Sequence, residues 1–360
     1  MSINKSKQSR KNSDLEEKYS KVLDTIKLYP DQLRQAWDEI NAMSIPTEFS
    51  DIDNIVVCGM GGSTLGARMV DALCEDRLRV PLEIFNGYHI PNYASDKTLL
   101  ISSSYSGTTE ETVACTYEAL SRKVKLFIIT TGGKLDSIVK ENTIPSYVFN
   151  PSNNPSEQPR LSIGYAVGAI LALLAKLKLI QVSADEIANA LVTMKQSFDN
   201  YSQENATENL AKKFAQELKG TAPMLVASEH LYGVVYTLKN QFNESAKTFT
   251  ALYELPELNH HLMEGLKNPN KLKDVIKFVF FESDLYSERV AKRYPLTEEV
   301  VGKNFVDYIK YKPTSKTKMN QLFETLVFGS MVVYYLSRYY QIDPMTIPWV
   351  DYFKDKLKNS

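Results

Sequence analysis

The sequence predicts an α/β protein with two stacked domains, each a doubly wound parallel sheet covered by helices in a three-layer αβα arrangement. Two observations support this fold class. Short apolar runs rich in β-branched residues alternate with helical segments in the first half, and a less regular alternation returns in the second half. Such alternation is typical of βαβ units, whose parallel strands are covered on both faces. A length of 360 residues also fits about two domains.

The first half contains five predicted strands and three intervening helices. The strands are "NIVVCGM" (54–60), "PLEIFNG" (81–87), "KTLLISSSY" (97–105), "KLFIITT" (125–131) and "PSYVFNP" (145–151), and the helical segments lie near 64–76, 109–121 and 134–141. Before them, residues 15–45 have a helical pattern in which Pro30 and Asp31 open a second helix. The polar, basic residues 1–14 lack an apolar face, so they are predicted to be a disordered tail.

A boundary between the two domains is predicted near residue 180. The apolar helix "LSIGYAVGAILALLAKLKL" ends there, and Ser183 with Glu186 has the capping-box pattern that opens another helix. The first domain is therefore expected over 46–182 and the second over 183–360, which includes C-terminal helices. The second domain has predicted strands at 223–228, 249–255 and 275–281 and a long helix at 317–341.

The composition is that of an ordinary globular protein and argues against several classes. A net charge of -1 gives no overall attraction to nucleic acid or acidic membranes. Three cysteines without CxxC spacing predict reduced thiols in a cytoplasmic protein, with neither disulfides nor a zinc site. The apolar stretches 163–174 and 326–336 are shorter than the roughly 20 residues that span a bilayer, so both are expected to be buried core helices.

The turn after the third predicted strand carries six hydroxyl side chains around Gly107. They are Ser102, Ser103, Ser104, Ser106, Thr108 and Thr109. Ligands of open parallel sheets bind beyond the carboxyl ends of the strands, where helix N-termini offer unpaired N–H groups. Small hydroxyls add neutral donors, which suits a phosphate dianion. The alternative is helix capping by Ser106 or Thr108, although one cap needs only one hydroxyl.

A second glycine-rich turn, "CGMGGSTLG" at 58–66, follows the first predicted strand. A dinucleotide fingerprint that begins at Gly59 would need glycine at 64, where the chain has Thr64. No lysine follows to complete a Walker loop. The turn therefore matches neither nucleotide motif, yet it lies beside the serine-rich turn. Two such turns on neighbouring strands would converge on one crevice.

Four residues that carry charge or titrate are further candidates, and each has a plain structural alternative. Arg160 follows a proline at a domain-edge loop and could instead form a surface ion pair. Glu244 in "NESAK" could be a solvated helix carboxylate, and His260 a surface or capping histidine. Lys354 could be an ordinary helix lysine. The residues alone leave these alternatives open.

Taken together, the motifs resemble those of the bifunctional phosphoglucose/phosphomannose isomerase family, whose members carry two sugar-isomerase (SIS) domains with a flavodoxin-like fold. The matching motifs are "GMGGST" (59–64), "SYSGTTEET" (104–112), "EQPRLSIGY" (157–165), "NQFNESAK" (240–247), "ELPELNHHLMEG" (254–265) and "DPMTIPWVDYFKDKL" (343–357). They occur in the family's order from about residue 50 to the C-terminus. Thr108 stands where many relatives have Asn, and His261 replaces a residue that is often Asn.

The resemblance implies an aldose–ketose isomerase that interconverts glucose 6-phosphate, and mannose 6-phosphate, with fructose 6-phosphate through a cis-enediol. It implies that Glu244 is the base and that Arg160 stabilises the enediolate. His260, with His261 as the alternative, would open the sugar ring, and Lys354 would assist. The implied phosphate ligands are Gly61, Gly62, Ser63, Ser104, Ser106 and Thr109.

The resemblance also implies a homodimer in which His260 reaches the site of the other subunit. Neither a metal nor a redox cofactor is expected, and neither nucleic acid nor a membrane is an expected partner. The principal alternative is a non-enzymatic regulator that keeps the phosphate turns without a base. Two others are the isomerase unit of a glucosamine-forming enzyme and a metal-dependent mannose isomerase. The first normally carries a glutaminase with a leading cysteine, where this chain has Ser2, and the second has only the pair His261 and Glu264 to support it.

Overall fold

The computed structural model describes residues 2–203 and 207–358, with side chains from residue 12 onward. Within these residues the strands are β1 (Asn54–Cys58), β2 (Leu82–Phe85), β3 (Thr98–Ser104), β4 (Lys125–Thr130), β5 (Ser146–Val148), β6 (Ala222–Ala227), β7 (Ala251–Glu254), β8 (Ile276–Phe281) and β9 (Asp307–Tyr311). The helices are α1 (Ser2–Lys27), α2 (Tyr29–Ala42), α3 (Gly62–Cys74), α4 (Glu110–Ser121), α5 (Gly133–Asn142), α6 (Ile163–Lys176), α7 (Ala184–Tyr201), α8 (Leu210–Leu218), α9 (Glu229–Glu244), α10 (Leu262–Gly265), α11 (Glu288–Lys303), α12 (Lys318–Tyr340) and α13 (Pro348–Leu357). Short 3-10 turns lie at Thr47–Ser50, Pro159–Leu161, Glu257–His260 and Leu272–Asp274.

Two parallel sheets organise the chain. The first has the strand order β2-β1-β3-β4-β5 and the second β7-β6-β8-β9. The first order is the flavodoxin-like order, in which the direction of winding reverses between β1 and β3. Helices flank both sheets, so the predicted three-layer α/β class is confirmed. The reversal places the ends of β1 and β3 next to each other, with Cys58 opposite Ser102.

Both long apolar stretches are core helices, as predicted. Most residues of α6 are buried, and so is α12 from Gln321 to Ser337. Within the core, the rings of Tyr311 on β9 and Phe328 on α12 stack with centroids 3.7 Å apart. No helix in the described part of the chain is long and apolar enough to cross a membrane.

The N-terminal segment differs from its prediction. The structure has helix from Ser2 to Lys27, so residues 2–14 continue α1 where the sequence predicts a disordered tail. Residues 1–14 contain neither glycine nor proline. The following turns of α1 pack on the core through the buried side chains of Tyr19, Val22 and Ile26. Adding residues to an existing helix is far easier than starting one, so a polar segment without helix breakers can extend it.

Several elements of the second half were not predicted, among them β9 and α11. The strand β9 pairs only with β8 at the sheet edge, and its exposed residues give it no continuous apolar run. The helix α11 contains Pro295, which ordinarily ends a helix. The predicted capping box is present: Ser183 and Glu186 bond reciprocally at the start of α7.

The helix α3 of the first half packs against α9 of the second, and the two run in opposite directions. A Cβ on Gly233 would lie 2.1 Å from the Arg68 carbonyl oxygen, so only glycine permits this close approach. Glu229 and His230, at the start of α9, line one cavity with Asp76, which follows the end of α3. The start of α3 therefore lies beside the end of α9, where the two halves build a joint site.

Candidate active site

The two glycine- and serine-rich turns are bonded to each other. Ser103 Oγ donates to the Ser63 carbonyl oxygen at 2.8 Å, and the Tyr105 backbone N–H donates to Ser63 Oγ at 3.0 Å. Because Ser63 Oγ accepts here, its own hydroxyl proton can point to a ligand. The turn after β1 and the turn after β3 thus form one crevice, as expected from their neighbouring strands.

The turn after β3 offers further hydroxyl donors. Ser104 Oγ lies 2.8 Å from Thr109 Oγ1 and accepts from the Gly107 backbone N–H at 3.1 Å. One proton serves the Ser104–Thr109 bond, which leaves the other hydroxyl proton of the pair for a ligand. Ser106 Oγ accepts from the backbone and the hydroxyl of Thr108, so it too can donate. These are the donors that a phosphate needs.

Not all six hydroxyls face the crevice. Ser102 is fully buried and bonds to Thr116 Oγ1 on α4 at 2.6 Å. The alternative of helix capping by Ser106 or Thr108 is not observed, because the N-cap of α4 is Thr109 and no side chain caps this helix. No side chain caps α3 either. Both helix N-termini therefore present their amide groups toward this end of the sheet.

Gly107 holds the turn in a shape that other residues could not adopt. Its φ is +66°, and a Cβ there would lie 1.7 Å from the Gly132 carbonyl oxygen. Its own carbonyl accepts from the backbone N–H of Leu135 at the start of α5. The serine-rich turn is therefore fixed against the neighbouring turn after β4.

Arg160 joins the phosphate turns to the second half of the chain. A Cβ on Gly62, at the start of α3, would lie 2.9 Å from the Arg160 backbone nitrogen. The side chain of Arg160 is only 1% exposed, so the alternative of a surface ion pair is wrong. Burial lowers the pKa of its guanidinium and the nearby Glu244 carboxylate opposes this, yet the group remains charged.

The five N–H donors of Arg160 all meet acceptors of this chain. Nε donates to Ser245 Oγ at 2.8 Å, and Nη1 donates to Gln158 Oε1 at 2.9 Å and to Glu244 Oε2 at 3.4 Å. Nη2 donates to the carbonyl oxygens of Pro344 and Met345 at 2.7 and 2.8 Å. The bond to Glu244 is the longest, so Nη1 is the donor that a ligand would take most easily.

Glu244 is the last residue of α9 and pairs with Arg160, whose backbone abuts Gly62 of the turn after β1. Its neighbours Phe242 and Ala246 are buried, whereas its own side chain is 29% exposed. The ion pair with Arg160 fixes one carboxylate oxygen and leaves the other free to act on a ligand. Glu244 is therefore a partly shielded carboxylate next to a buried cation.

The segment before α13 closes this end of the site. Asp343 accepts from the backbone N–H of Met345 at 2.8 Å and pairs with Lys18 of α1 at 2.8 Å. Burial alone would raise the pKa of Asp343, but the bonds from Lys18 and from the two backbone amides of Met345 and Thr346 lower it. Asp343 thus holds the carbonyl groups of 344 and 345 where Arg160 can reach them.

Four residues around this cluster were missed at the sequence level. They are Gln158, Ser245, Lys247 and Asp343, and all bond to Arg160, to Glu244 or to the segment that Arg160 grips. Each lies inside a motif quoted for the family resemblance. Their position within three residues of Arg160, Glu244 or Pro344 was the available signal, but spacing alone does not say which side chain turns inward.

The structure does not bring His260, His261 or Lys354 to this cluster. Among the described residues no hydrogen bond or ion pair joins any of them to Arg160 or Glu244. Both histidines are exposed, and so is Lys354 on α13, the helix that begins shortly after the segment gripped by Arg160. In one chain the predicted base and cation therefore bond to each other, whereas the other three candidates bond to neither.

The topology of the second sheet places the segments that carry His260 and Glu244. His260 ends the 3-10 turn after β7, and the end of β7 lies beside the end of β6, with Glu254 opposite Ala227. The helix α9 begins there at Glu229 and runs 16 residues to Glu244, about 22 Å along its axis. The turn with His260 thus follows the strand edge at which α9 begins, whereas Glu244 lies at the other end of α9.

The described residues contain no group of three or more His, Cys, Asp or Glu side chains that could hold a metal ion. The three cysteines, Cys58, Cys74 and Cys115, are free and buried. His230 is also buried, with its Nε2 2.9 Å from Gln321 Oε1 in the core of the second domain. None of these side chains bonds to Ser63, Arg160 or Glu244 among the described residues.

Comparisons with known proteins agree with this architecture. The family described as "Bacterial phospho-glucose isomerase C-terminal SIS domain" matches residues 207–357. The chain is 28% identical to the bifunctional phosphoglucose/phosphomannose isomerase of Caldicellulosiruptor bescii over 343 residues, which covers 93% of this chain and 98% of that protein. It is 30% identical to the enzyme of the same name from Thermoplasma acidophilum over 306 residues, or 84% of this chain and 89% of that protein.

Solved structures show the same fold at lower sequence identity. A protein from Thermus thermophilus, described as hypothetical, superposes with a TM-score of 0.72 at 15% identity and covers 98% of this chain and 95% of its own. A protein of Clostridium difficile 630 that is provisionally assigned as a phosphosugar isomerase superposes with a TM-score of 0.63 at 11% identity. The match covers 90% of this chain and 95% of that one. At these identities the likeness concerns the fold alone.

Proposed function

The chain belongs to the bifunctional phosphoglucose/phosphomannose isomerase family, and on this premise we propose that it interconverts glucose 6-phosphate and mannose 6-phosphate with fructose 6-phosphate. The family assignment rests on a relative that is 30% identical across most of both chains. An isomerase of this kind moves a proton between two adjacent carbons. It therefore needs an anion site for the phosphate, a base and a cation beside the reacting oxygens.

The junction of the two halves is the observation that supports this function best. The crevice holds spare hydroxyl protons on Ser63, on Ser106 and on the pair of Ser104 and Thr109. Together with the open N-termini of α3 and α4, which begin at Gly62 and Glu110, these donors suit the 6-phosphate. Gly61 and Gly62 allow its close approach. Gly62 also abuts the backbone of Arg160, whose side chain reaches Glu244.

Each residue then has a chemical task. The free oxygen of Glu244 removes the proton from C2 of the aldose and returns it to C1, by way of a cis-enediol. Arg160 stabilises the negative charge that develops on the enediolate, with Nη1 as the donor that turns from Glu244 to the substrate. Because a guanidinium can carry this electrostatic role, the proposed reaction is independent of a metal. Glucose and mannose 6-phosphates share one enediol, so the same base serves both.

Ring opening needs a proton donor, and in the described part of the chain neither His260 nor Lys354 bonds to Arg160 or Glu244. His260 follows β7, whose end lies beside the strand end that leads into α9, and α9 runs about 22 Å from there to Glu244. We therefore propose a homodimer in which His260 enters the crevice of the other subunit, with His261 as the alternative. Lys354, on α13, would assist ring opening once this helix moves toward the crevice or once the other subunit covers it. A cytoplasmic location is consistent with this chemistry.

A coupled assay of fructose 6-phosphate formation tests the isomerase. Wild type is expected to turn over both aldose phosphates in the presence of EDTA, whereas Glu244→Gln is expected to lose about 100-fold to 10,000-fold in kcat. Glu217→Gln, a change at an exposed carboxylate that pairs with Lys277 on the second domain, serves as the control. Tight binding of sugar phosphate without turnover in wild type would support the regulator instead. Activity lost with EDTA and restored by a divalent metal would contradict metal independence.

Mixing two inactive variants tests the shared site. If His260 acts across the dimer, then Glu244→Gln and His260→Ala subunits together form one intact site in each mixed dimer. An equal mixture after subunit exchange should regain about a quarter of wild-type activity, as two-fold symmetry requires. No recovery in a mixture shown to exchange subunits would place His260 in its own subunit's chemistry or outside the reaction.

A further inference from the structure

Lys247 makes two bonds that connect the base to the last part of the chain. Its Nζ donates to the Glu244 carbonyl oxygen at 2.6 Å, at the end of α9. It also donates to the Thr346 carbonyl oxygen at 2.7 Å, on the segment that leads into α13. A cation is favourable at a helix C-terminus, because the last carbonyl groups there lack partners. One ammonium group therefore holds two segments of the site together.

The backbone of Lys247 is in an uncommon conformation that aims the side chain at this point. Its φ is +50°, in the left-handed region that residues with a side chain rarely adopt. The preceding residues Ser245 and Ala246 are buried, and Ser245 accepts from Arg160. A conformation of this kind persists only where the surrounding contacts require it. Here the contacts are those of the candidate active site.

The charges around Lys247 come from three elements. They are Glu244 at the end of α9, Arg160 on the 3-10 turn before α6, and Asp343 before α13, itself paired with Lys18 of α1. Desolvation of the ammonium, followed by the positive charge of Arg160, lowers the pKa of Lys247 to about 8. The carboxylates of Asp343 and Glu244 act in the opposite direction. Lys247 is nonetheless an exposed residue, and the two bonds to carbonyl oxygens are what hold its ammonium group in place.

We propose that Lys247 is a positioning residue of the isomerase site, whose ammonium group fixes the end of α9 that carries Glu244 to the segment that carries Lys354. The inference rests on the proposed function for its effect on turnover, but not for the tie itself. Arg160 grips the same segment at Pro344 and Met345. Lys247 extends that grip to Thr346, the second residue before α13. Base, cation and the approach to α13 are then held as one unit.

Three variants of the full chain test the tie. Lys247→Met removes both bonds and the charge, while Lys247→Arg keeps a charge at every working pH. Lys123→Met is the matched control, because Lys123 is an exposed lysine with a left-handed backbone, φ +57°, at the distant turn between α4 and β4. Hydrogen exchange by mass spectrometry follows the amides of 345–357, and the coupled assay gives kcat, KM and their pH dependence.

Lys247→Met is expected to speed exchange in 345–357 and to lower kcat about ten-fold with little change in KM, since small misplacements of a base are costly. Lys247→Arg should recover most of kcat. In wild type kcat should fall as the pH rises through about 8, and in Lys247→Arg this fall should move to higher pH. Lys123→Met should resemble wild type in every measurement.

Unchanged exchange and unchanged kcat in Lys247→Met would overturn the proposal, and so would equal losses in Lys123→Met. A kcat loss in Lys247→Met without faster exchange in 345–357 would also overturn it, because the tie would then not be what the variant breaks. If wild type has no isomerase activity, the proposed function fails. Exchange in 345–357 still decides in that case whether Lys247 ties the two segments.

Discussion

The turns after β1 and after β6 occupy the same place in their two sheets but are built for opposite purposes. Each leads from a central strand into a helix, and each contains a residue with positive φ: Gly61 at +50° and Glu229 at +45°. In the first turn Ser63 keeps a hydroxyl proton for a ligand. In the second turn Ser228 is fully buried, and its hydroxyl bonds to Leu255 and Tyr294.

The difference extends to the helix that follows each turn. No side chain caps α3, so its N-terminus is open to an anion. At the start of α9 the chain supplies its own negative charge, since Glu229 is the first residue of this helix, and both of its carboxylate oxygens accept from the backbone N–H of Ser287, the N-cap of α11, at 3.1 Å. The first domain thus uses the N-terminus of its helix, whereas the second uses the C-terminus, where Glu244 lies. Two copies of one fold contribute opposite helix ends to one site.

The largest effect is expected at the residue that joins the two domains. Arg160→Lys keeps a charge but cannot replace five donors, so acceptors on Gln158, Ser245 and the 344–345 segment lose their partners. We expect a loss of about 3 kcal/mol in the free energy of unfolding. The kcat/KM should fall at least about 100-fold. Urea denaturation and the coupled assay measure the two effects.

A half-exposed arginine provides the control for this variant. Arg77 pairs with Glu186 at 3.0 Å, with side-chain exposures of 29% and 39%. Arg77→Lys should cost no more than about 1 kcal/mol and leave turnover unchanged, as is usual for surface ion pairs. Equal costs for Arg160→Lys and Arg77→Lys would mean that Arg160 does not join the domains as described.

The next effect concerns the contact between the phosphate turn and Arg160. A Cβ on Gly62 would lie 2.8 Å from the Pro159 carbonyl carbon, and neither backbone can move without displacing Arg160 or the start of α3. Gly62→Ala is therefore expected to lower kcat/KM by about ten-fold to 100-fold. Gly265→Ala is the control, since no atom lies within 4 Å of its Cβ position. Wild-type kinetics in Gly62→Ala would show that the turn and Arg160 are positioned independently.

Much of the fold could be predicted, because strands buried on both faces are continuous apolar runs. All five strands of the first sheet lie within the predicted ranges, whereas the flavodoxin-like strand order was implied only by the family resemblance. The strand β9 was not predicted because it lies at an edge and is largely exposed. The helix over residues 2–14 was not predicted because helix extension depends on what the following turns bury, which a polar segment does not reveal.

The site could be predicted only in part, for a physical reason. Turn residues such as Ser63 and Ser106 are recognisable by composition next to a strand end. Arg160 cannot be recognised in this way, because the sequence does not distinguish a buried arginine from an exposed one. Only the structure shows its five acceptors. The same holds for Lys247, whose partners are main-chain carbonyls that any sequence provides. Contacts between segments that are distant in sequence thus limit how much of the site the sequence predicts.

A smaller effect is expected at the carboxylate that arranges the segment before α13. Because the folded pKa of Asp343 is lowered, its charged form stabilises the protein above the unfolded pKa near 3.9, and this is lost as the pH falls through the folded pKa. Asp343→Asn should therefore cost about 1 kcal/mol at pH 7, and the difference from wild type should shrink below pH 4. Urea denaturation of both proteins between pH 7 and below pH 4 measures this difference in the free energy of unfolding. Asp14→Asn, at the exposed second partner of Lys18, should cost much less, and a difference that grows in acid would contradict the assignment.

The smallest effect returns to the turn after β6. Glu229→Gln removes the negative charge at the start of α9 but can keep one bond to Ser287, so it should cost about 0.5 kcal/mol in the free energy of unfolding. Turnover should not change, because this end of α9 lies about 22 Å from Glu244. Inorganic phosphate should raise the melting temperature of wild type and of Glu229→Gln equally, since we expect it to bind in the crevice at Ser63 and Ser106. An additional stabilisation of Glu229→Gln by phosphate would show that the Glu229 carboxylate is what keeps phosphate from the second turn, and that the second domain retains an anion site of its own.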